Sequence, residues 1–123
     1  MHEVSLARAV WRQVEAEMAR HPGRGLLAMD LVVGAFSGAD PESLAFALSL
    51  LVRESDWPDA DVRIRTEPLT MACCACGREF TPEHFDPACP ACGSVDTDPI
   101  RGTDLRLESL EVETDDAETH SAR

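Results

Sequence analysis

Along the first twenty residues apolar side chains return every fourth position, at Leu6, Val10, Val14 and Met18, with Ala7 and Trp11 beside them. Arg8, Arg12, Glu15 and Arg20 fall on the other sides. That period predicts an amphipathic helix of about four turns, stopped by His21-Pro22-Gly23. From Leu27 the period drops to two: Leu27, Met29, Leu31 and Val33 alternate with Ala28, Asp30, Val32 and Gly34, which predicts a strand. Phe36-Ser37-Gly38-Ala39 turns the chain. Asp40-Pro41-Glu42 then offers an N-cap acceptor, a proline where a helix needs no N–H, and an acid in the first turn. The helix starting there carries Leu44, Ala47, Leu48, Leu51 and Val52 on one face, and Phe46 and Leu50 widen the stripe almost all round. Such a helix is expected to be buried, the alternative being a spare face that meets a partner.

After a linker from Ser55 to Asp61, Val62, Ile64 and Thr66 alternate with Arg63, Arg65 and Glu67, a second strand that ends at Pro68. Leu105 and Leu107 alternate with Arg106 and Glu108; the phase slips at Ser109 and resumes at Leu110 and Val112, predicting a third strand with a bulge. Residues 114–123 have nothing to bury and are expected to form a disordered acidic tail. The expected fold is therefore α+β, two helices on a small three-stranded mixed sheet, with a zinc-ribbon-like module inserted between two of the strands. Residues 1–69 and 101–113 would make the α+β domain and residues 70–100 the module.

That module is defined by Cys73, Cys76, Cys89 and Cys92, spaced C-x2-C-x12-C-x2-C. Each pair sits in a small repeat, Cys73-Cys74-Ala75-Cys76-Gly77 and Cys89-Pro90-Ala91-Cys92-Gly93, so the chain makes the same turn twice and offers two sulfurs each time. Glycine after the second cysteine permits the positive φ of such a knuckle. Four thiolates around Zn2+ leave no open position, so the site reads as structural, without a bound water to activate. Iron suits four sulfurs by the same geometry, but nothing else here suggests electron transfer. Two disulfides would need an oxidising compartment, and no apolar stretch resembling a signal peptide or a membrane span precedes the cysteines; the chain reads as cytoplasmic with reduced thiols. Cys74 is read as a bystander, since one turn cannot aim three sulfurs inward.

Charge removes one common role of zinc ribbons. Eleven Lys and Arg stand against 23 Asp and Glu, a net charge of -12. Between the knuckles Arg78 is outnumbered by Glu79, Glu83 and Asp86, so a phosphate backbone would be repelled. No Ser/His/Asp set, Gly-rich phosphate loop or H-E-x-x-H occurs, and an enzyme is not expected.

Three features together, Met1-His2-Glu3 opening a helix, the stretch from Val33 to Leu44 (VGAFSGADPESL) and the double C-x2-C, make the chain resemble the HypA-type nickel-incorporation proteins over nearly its whole length. The resemblance implies a metallochaperone that binds Ni(II) at Met1, His2 and Glu3, holds structural Zn(II) at the four cysteines, and delivers nickel to the [NiFe] centre of hydrogenase. It also implies as partners a HypB-type GTPase, the hydrogenase large subunit and, in some bacteria, urease maturation proteins. Cys74 and the acidic tail depart from the family pattern.

Elementary chemistry agrees at the amino terminus. Nickel(II) favours square-planar nitrogen donors, and a free amine, deprotonated backbone amides and the His2 imidazole can supply several from three consecutive residues. The first amides of a helix have no intrahelical partner, so enlisting them breaks no helical hydrogen bond. His84 is a further possible ligand if the module folds over the amino terminus; a loop histidine facing solvent is the plainer reading. The competing function is a zinc-ribbon adaptor that binds a protein partner and carries no nickel.

Overall fold

The computed structural model describes residues 2–84, 86–113 and 119–121, the last three as backbone. The first apolar stripe forms α1 (His2–Met18), which buries Ala7, Val10, Trp11, Val14 and Met18. The alternating runs form β1 (Leu26–Gly34) and β2 (Asp61–Glu67), with α2 (Pro41–Arg53) between them. There follow β3 (Thr70–Cys73), β4 (Glu79–Phe80), β5 (Thr97–Arg101), β6 (Leu105–Val112) and β7 (Thr119–Ser121).

Two sheets result, ordered β2-β1-β6-β7 and β4-β3-β5. In the first, β2 runs parallel to β1 and β6 antiparallel, so the sheet is mixed. A parallel pair requires a crossover, which α2 supplies. β7 adds a fourth strand that the sequence reading leaves out: its backbone pairs antiparallel with Ser109, Leu110 and Glu111. Within the expected disordered tail, then, Thr119–Ser121 is a strand, because main-chain pairing with an open sheet edge needs no apolar side chain. Residues 114–118, 122 and 123 lie outside the described residues.

Both helices cover one face of this sheet, α1 over β6 and α2 over β2. Met29, Leu31 and Val33 of β1 and Leu107, Leu110 and Val112 of β6 meet Leu44, Leu48 and Val52 of α2 there. Each such side chain contributes about 1.5–3 kcal/mol by leaving water. The expected bulge is present: Asp30 faces Ser109 and Leu31 faces Leu107, so Glu108 is the extra residue that lets Leu107 and Leu110 both reach the core. A second bulge was not expected. Leu26 faces Val112 and Ala28 faces Glu111, so Leu27 is skipped; Leu26 is buried and Leu27 is 41% exposed, reversing the phase assigned to Leu27.

The outer side of α2 also corrects the sequence reading. Phe46 is 67% and Leu50 43% exposed, because α2 lies in the outer layer of a two-layer fold and only one of its faces can meet the sheet.

The sheet's other face is held by ion pairs. Arg63 reaches Asp30 at 2.9 Å and Glu111 at 3.1 Å, Arg65 reaches Glu108 at 2.8 Å, and Arg106 reaches Glu67 at 3.2 Å. Val32, paired with Arg65 on one side and Arg106 on the other, is buried between their stems.

At the end of β1 the chain entering the cysteine module crosses the chain leaving it. The N–H groups of Gly34, Ala35 and Phe36 donate to the carbonyls of Asp104, Glu67 and Gly102, each at 2.8 Å. A Cβ on Gly34 would overlap the backbone of Gly102, and one on Gly102 would overlap that of Pro68. Gly34→Ala is therefore expected to cost about 1–3 kcal/mol through overpacking, read as a lower urea midpoint at unchanged slope. An unchanged midpoint would mean that the crossing is looser than this geometry.

Candidate metal centre

The two knuckles repeat one hydrogen-bond pattern. Gly77 N–H donates to the Cys73 carbonyl at 2.9 Å, and Cys73 N–H to the Arg78 carbonyl at 2.8 Å. In the second knuckle Gly93 N–H donates to Cys89 and Cys89 N–H to Ser94, both at 2.8 Å. Gly77 and Gly93 adopt φ of 79° and 78°, left-handed values that suit glycine and close each turn.

Facing each other, the knuckles bring all four Sγ atoms within 4.8 Å of one another. Cys73 lies 3.6 Å from Cys92 and Cys76 lies 3.7 Å from Cys89, sulfur to sulfur. A tetrahedron with metal–sulfur bonds of about 2.3 Å has edges of about 3.8 Å, so these spacings match one tetrahedral ion. They far exceed the roughly 2.0 Å of a disulfide, and the thiols are free. Cys73 and Cys89 are buried, Cys76 and Cys92 exposed.

Ionisation is shared unequally within the cluster. The N–H groups of Cys76 and Ala75 lower the Cys73 thiol to about 7, against the opposing effect of its burial. Cys89 is lowered in the same way by the N–H groups of Cys92 and Ala91. Cys92 has the Ser94 amide favouring its thiolate, yet the sulfurs of Cys73, Cys89 and Cys76, together with burial, raise it to about 11. Four neighbouring thiols cannot all ionise unaided; a divalent cation held there would supply the balancing charge and displace the remaining protons.

Cys74 stands outside this set. Its N–H donates to the Asp96 carbonyl at 2.9 Å and its sulfur to an Asp98 carboxylate oxygen at 3.3 Å. Asp98, partial burial and the charge of Asp96 raise its thiol to about 11. Cys74→Ala is expected to keep a full complement of metal, measured by elemental analysis after gel filtration; loss of metal would make Cys74 a ligand.

On the α+β part of the chain His2 and Glu3 open α1, and Met1 lies outside the described residues. His2 is exposed, with Nδ1 3.7 Å from a Glu3 carboxylate oxygen. Glu3 is held below the usual carboxylate range by its own backbone N–H and, against partial desolvation, by the nearby N–H of Asp40 and by His2. Asp40 in turn caps α2, accepting from Ser43 N–H at 3.3 Å and from Ser43 Oγ at 2.6 Å. The first turns of the two helices thus lie side by side, and a groove of ≈ 400 Å³ runs between Glu3, Val4, Asp40, Phe46 and Leu50. The sequence shows Asp40 as a cap but not its link to Glu3, which only the packing of α1 on α2 creates.

His84 is exposed in the loop after β4, with φ of 51°. Among the described residues the four cysteines are the one group of three or more His, Cys, Asp or Glu placed to hold an ion, so His84 is not gathered with His2 and Glu3.

A family model described as hydrogenase/urease nickel incorporation, metallochaperone, hypA matches residues 1–112, from the amino-terminal tripeptide through the cysteine module to the end of β6. The chain belongs to the HypA family. Among curated relatives, the hydrogenase maturation factor HypA of Desulfitobacterium hafniense is 34% identical over 113 residues, covering 92% of this chain and 99% of the relative. HypA of Aquifex aeolicus is 30% identical over 115 residues, covering 94% of this chain and all of the relative. The fold matches the solution structure of the nickel metallochaperone HypA from Helicobacter pylori with a TM-score of 0.63 at 24% identity, over 88% of this chain and 94% of that one. No helix among the described residues is long and apolar enough to cross a membrane.

Proposed function

We propose that this HypA family member is a nickel metallochaperone that takes Ni(II) as cargo at Met1, His2 and Glu3 and delivers it during maturation of the [NiFe] centre of hydrogenase. The observation that carries this reading is the exposed His2 beside Glu3 in the first turn of α1, in a family match that includes both residues. The donors would be the terminal amine, backbone amides without helical partners, and the imidazole, with the Glu3 carboxylate alongside. Zn(II) at Cys73, Cys76, Cys89 and Cys92 would hold residues 70–100 in shape, while residues 1–69 and 101–113 carry the nickel end.

Delivery needs a docking face near the cargo. The groove beside Glu3, with Phe46 and Leu50 exposed along it and Asp40 and Glu42 at its acidic end, offers apolar anchors and negative charge together. Its partner would be a cytoplasmic HypB-type GTPase or the hydrogenase large subunit, or a urease maturation protein in an organism that has one, approaching with a basic face. Raising salt should then slow association several-fold, measured by stopped-flow mixing; a rate indifferent to salt would remove charge from the recognition.

Titrating Ni2+ into zinc-loaded protein with its native amino terminus should show about one equivalent bound tightly. Absence of binding would leave the zinc-ribbon adaptor, which meets a partner but carries no nickel.

A further inference from the structure

The family match ends at residue 112, the last residue of β6, so β7 lies outside the part of the chain shared with the family. β7 nevertheless lies on the core sheet, with Thr119 opposite Glu111, His120 opposite Leu110 and Ser121 opposite Ser109. Without it, β6 would be an outer strand of eight residues whose main-chain donors and acceptors on that side have no strand to meet. With it, Ser109, Leu110 and Glu111 of that edge are already paired, and the strand that covers them is only three residues long, a poor template for further pairing.

We propose that the outer edge of β6 is a strand-docking surface for a second copy of this chain, and that the chain's own segment Thr119–Ser121 occupies and masks it. The sequence of β6 is complementary to itself when run antiparallel. A two-fold pairing that sets Leu107 against Leu110 of the second copy also sets Arg106 against that copy's Glu111, and Glu108 against Ser109. Residues meeting across the pair then match in face and charge: Leu107 and Leu110 belong to the core side, Arg106 and Glu111 to the ionic side. Such addition rests on main-chain hydrogen bonds, with side chains setting the register. The tail competes for the same bonds intramolecularly, and so wins at low protein concentration.

Two variants test this. One ends after Glu113; the other keeps the whole tail and its charges but carries Thr119→Pro and His120→Pro, which removes both successive N–H groups and so breaks the pairing whichever of them points at β6. In dilute samples, amide exchange within Ser109–Glu111 should accelerate at least about tenfold in both variants relative to the full chain, with circular dichroism unchanged. In concentrated samples both should form dimers by analytical ultracentrifugation while the full chain stays monomeric, and a peptide of residues 114–123 should dissociate the truncated dimer. Unchanged exchange would show that the tail does not mask β6. Accelerated exchange with both variants monomeric would overturn the second copy as occupant. A dimer formed by the truncated chain but not by the proline variant would overturn masking by strand pairing in favour of charge repulsion.

Discussion

Cys89→Ala is expected to lower bound zinc from about one per chain to near zero and to open residues 70–100 to proteolysis, while α1, α2 and the core sheet stay folded. Among the described residues of 70–100 the buried side chains are Met71, Cys73 and Cys89, so two of the three are candidate metal donors, and these residues give the small β4-β3-β5 sheet little apolar core of its own. An ion held by the four sulfurs would take the place of that core, since structural zinc sites carry about 10–16 kcal/mol of apparent binding free energy that is also folding free energy. Removing one sulfur leaves three thiols that must reprotonate beside one another, in a cluster where Cys92 already holds its proton up to about 11. Limited proteolysis with mass mapping, alongside elemental analysis, reads both effects. The core should be spared because, among the described residues, its buried cluster comes from α1, β1, α2 and β6 and not from the module. Normal proteolytic resistance of the variant, or wild-type protein purified with neither zinc nor iron, would overturn the metal as the organiser of the module.

How much of this is legible in the sequence varies with how many residues encode each feature. The helix–strand–helix–strand order is written in periods of four and two, and the bulge at Glu108 shows because Leu107 and Leu110 are both apolar with a one-residue slip between them. Leu27 misleads for the opposite reason: Leu26 and Leu27 are alike, so pattern alone cannot say which faces the core, and the bulge that decides it is a property of pairing with β6. Phe46 and Leu50 mislead because composition cannot tell a helix packed on two sides from one packed on a single sheet face. The strands of the module escape notice altogether: β4 has two residues, and β5 contains Pro99. β7 has no apolar signal, since its place depends on a free edge 8 residues earlier in the pairing of Thr119 with Glu111. The four cysteines need no such context, because their spacing repeats the turn that carries them. The amino-terminal tripeptide stands at the other extreme: His2 and Glu3 are ordinary residues for an exposed helix start, and they gain chemical meaning through the family to which the chain belongs.

A Gly-Ser extension ahead of Met1 is expected to reduce nickel affinity at least about hundredfold without changing the fold. The extension converts the terminal amine into an amide and leaves His2, Glu3, the cap at Asp40 and the cysteines chemically unaltered. A first-sphere donor lost in this way should cost more than the 10–100-fold typical of outer-sphere partners. His2→Ala should act alike by removing the imidazole. Neither change touches the core, where the first buried residue of α1 is Ala7. Acid should weaken nickel binding in the native protein, since protons compete for both the amine and the imidazole. Glu3 should hold its charge further into acid than an ordinary glutamate, because its own N–H and that of Asp40 favour the carboxylate. The most direct test is calorimetric titration of Ni2+ into zinc-loaded native and Gly-Ser-extended proteins at one pH, with circular dichroism to show that both are folded. The account predicts about one tight equivalent in the native protein and its loss in the extended one; equal affinity in the two would contradict a nickel site built on the amine of Met1.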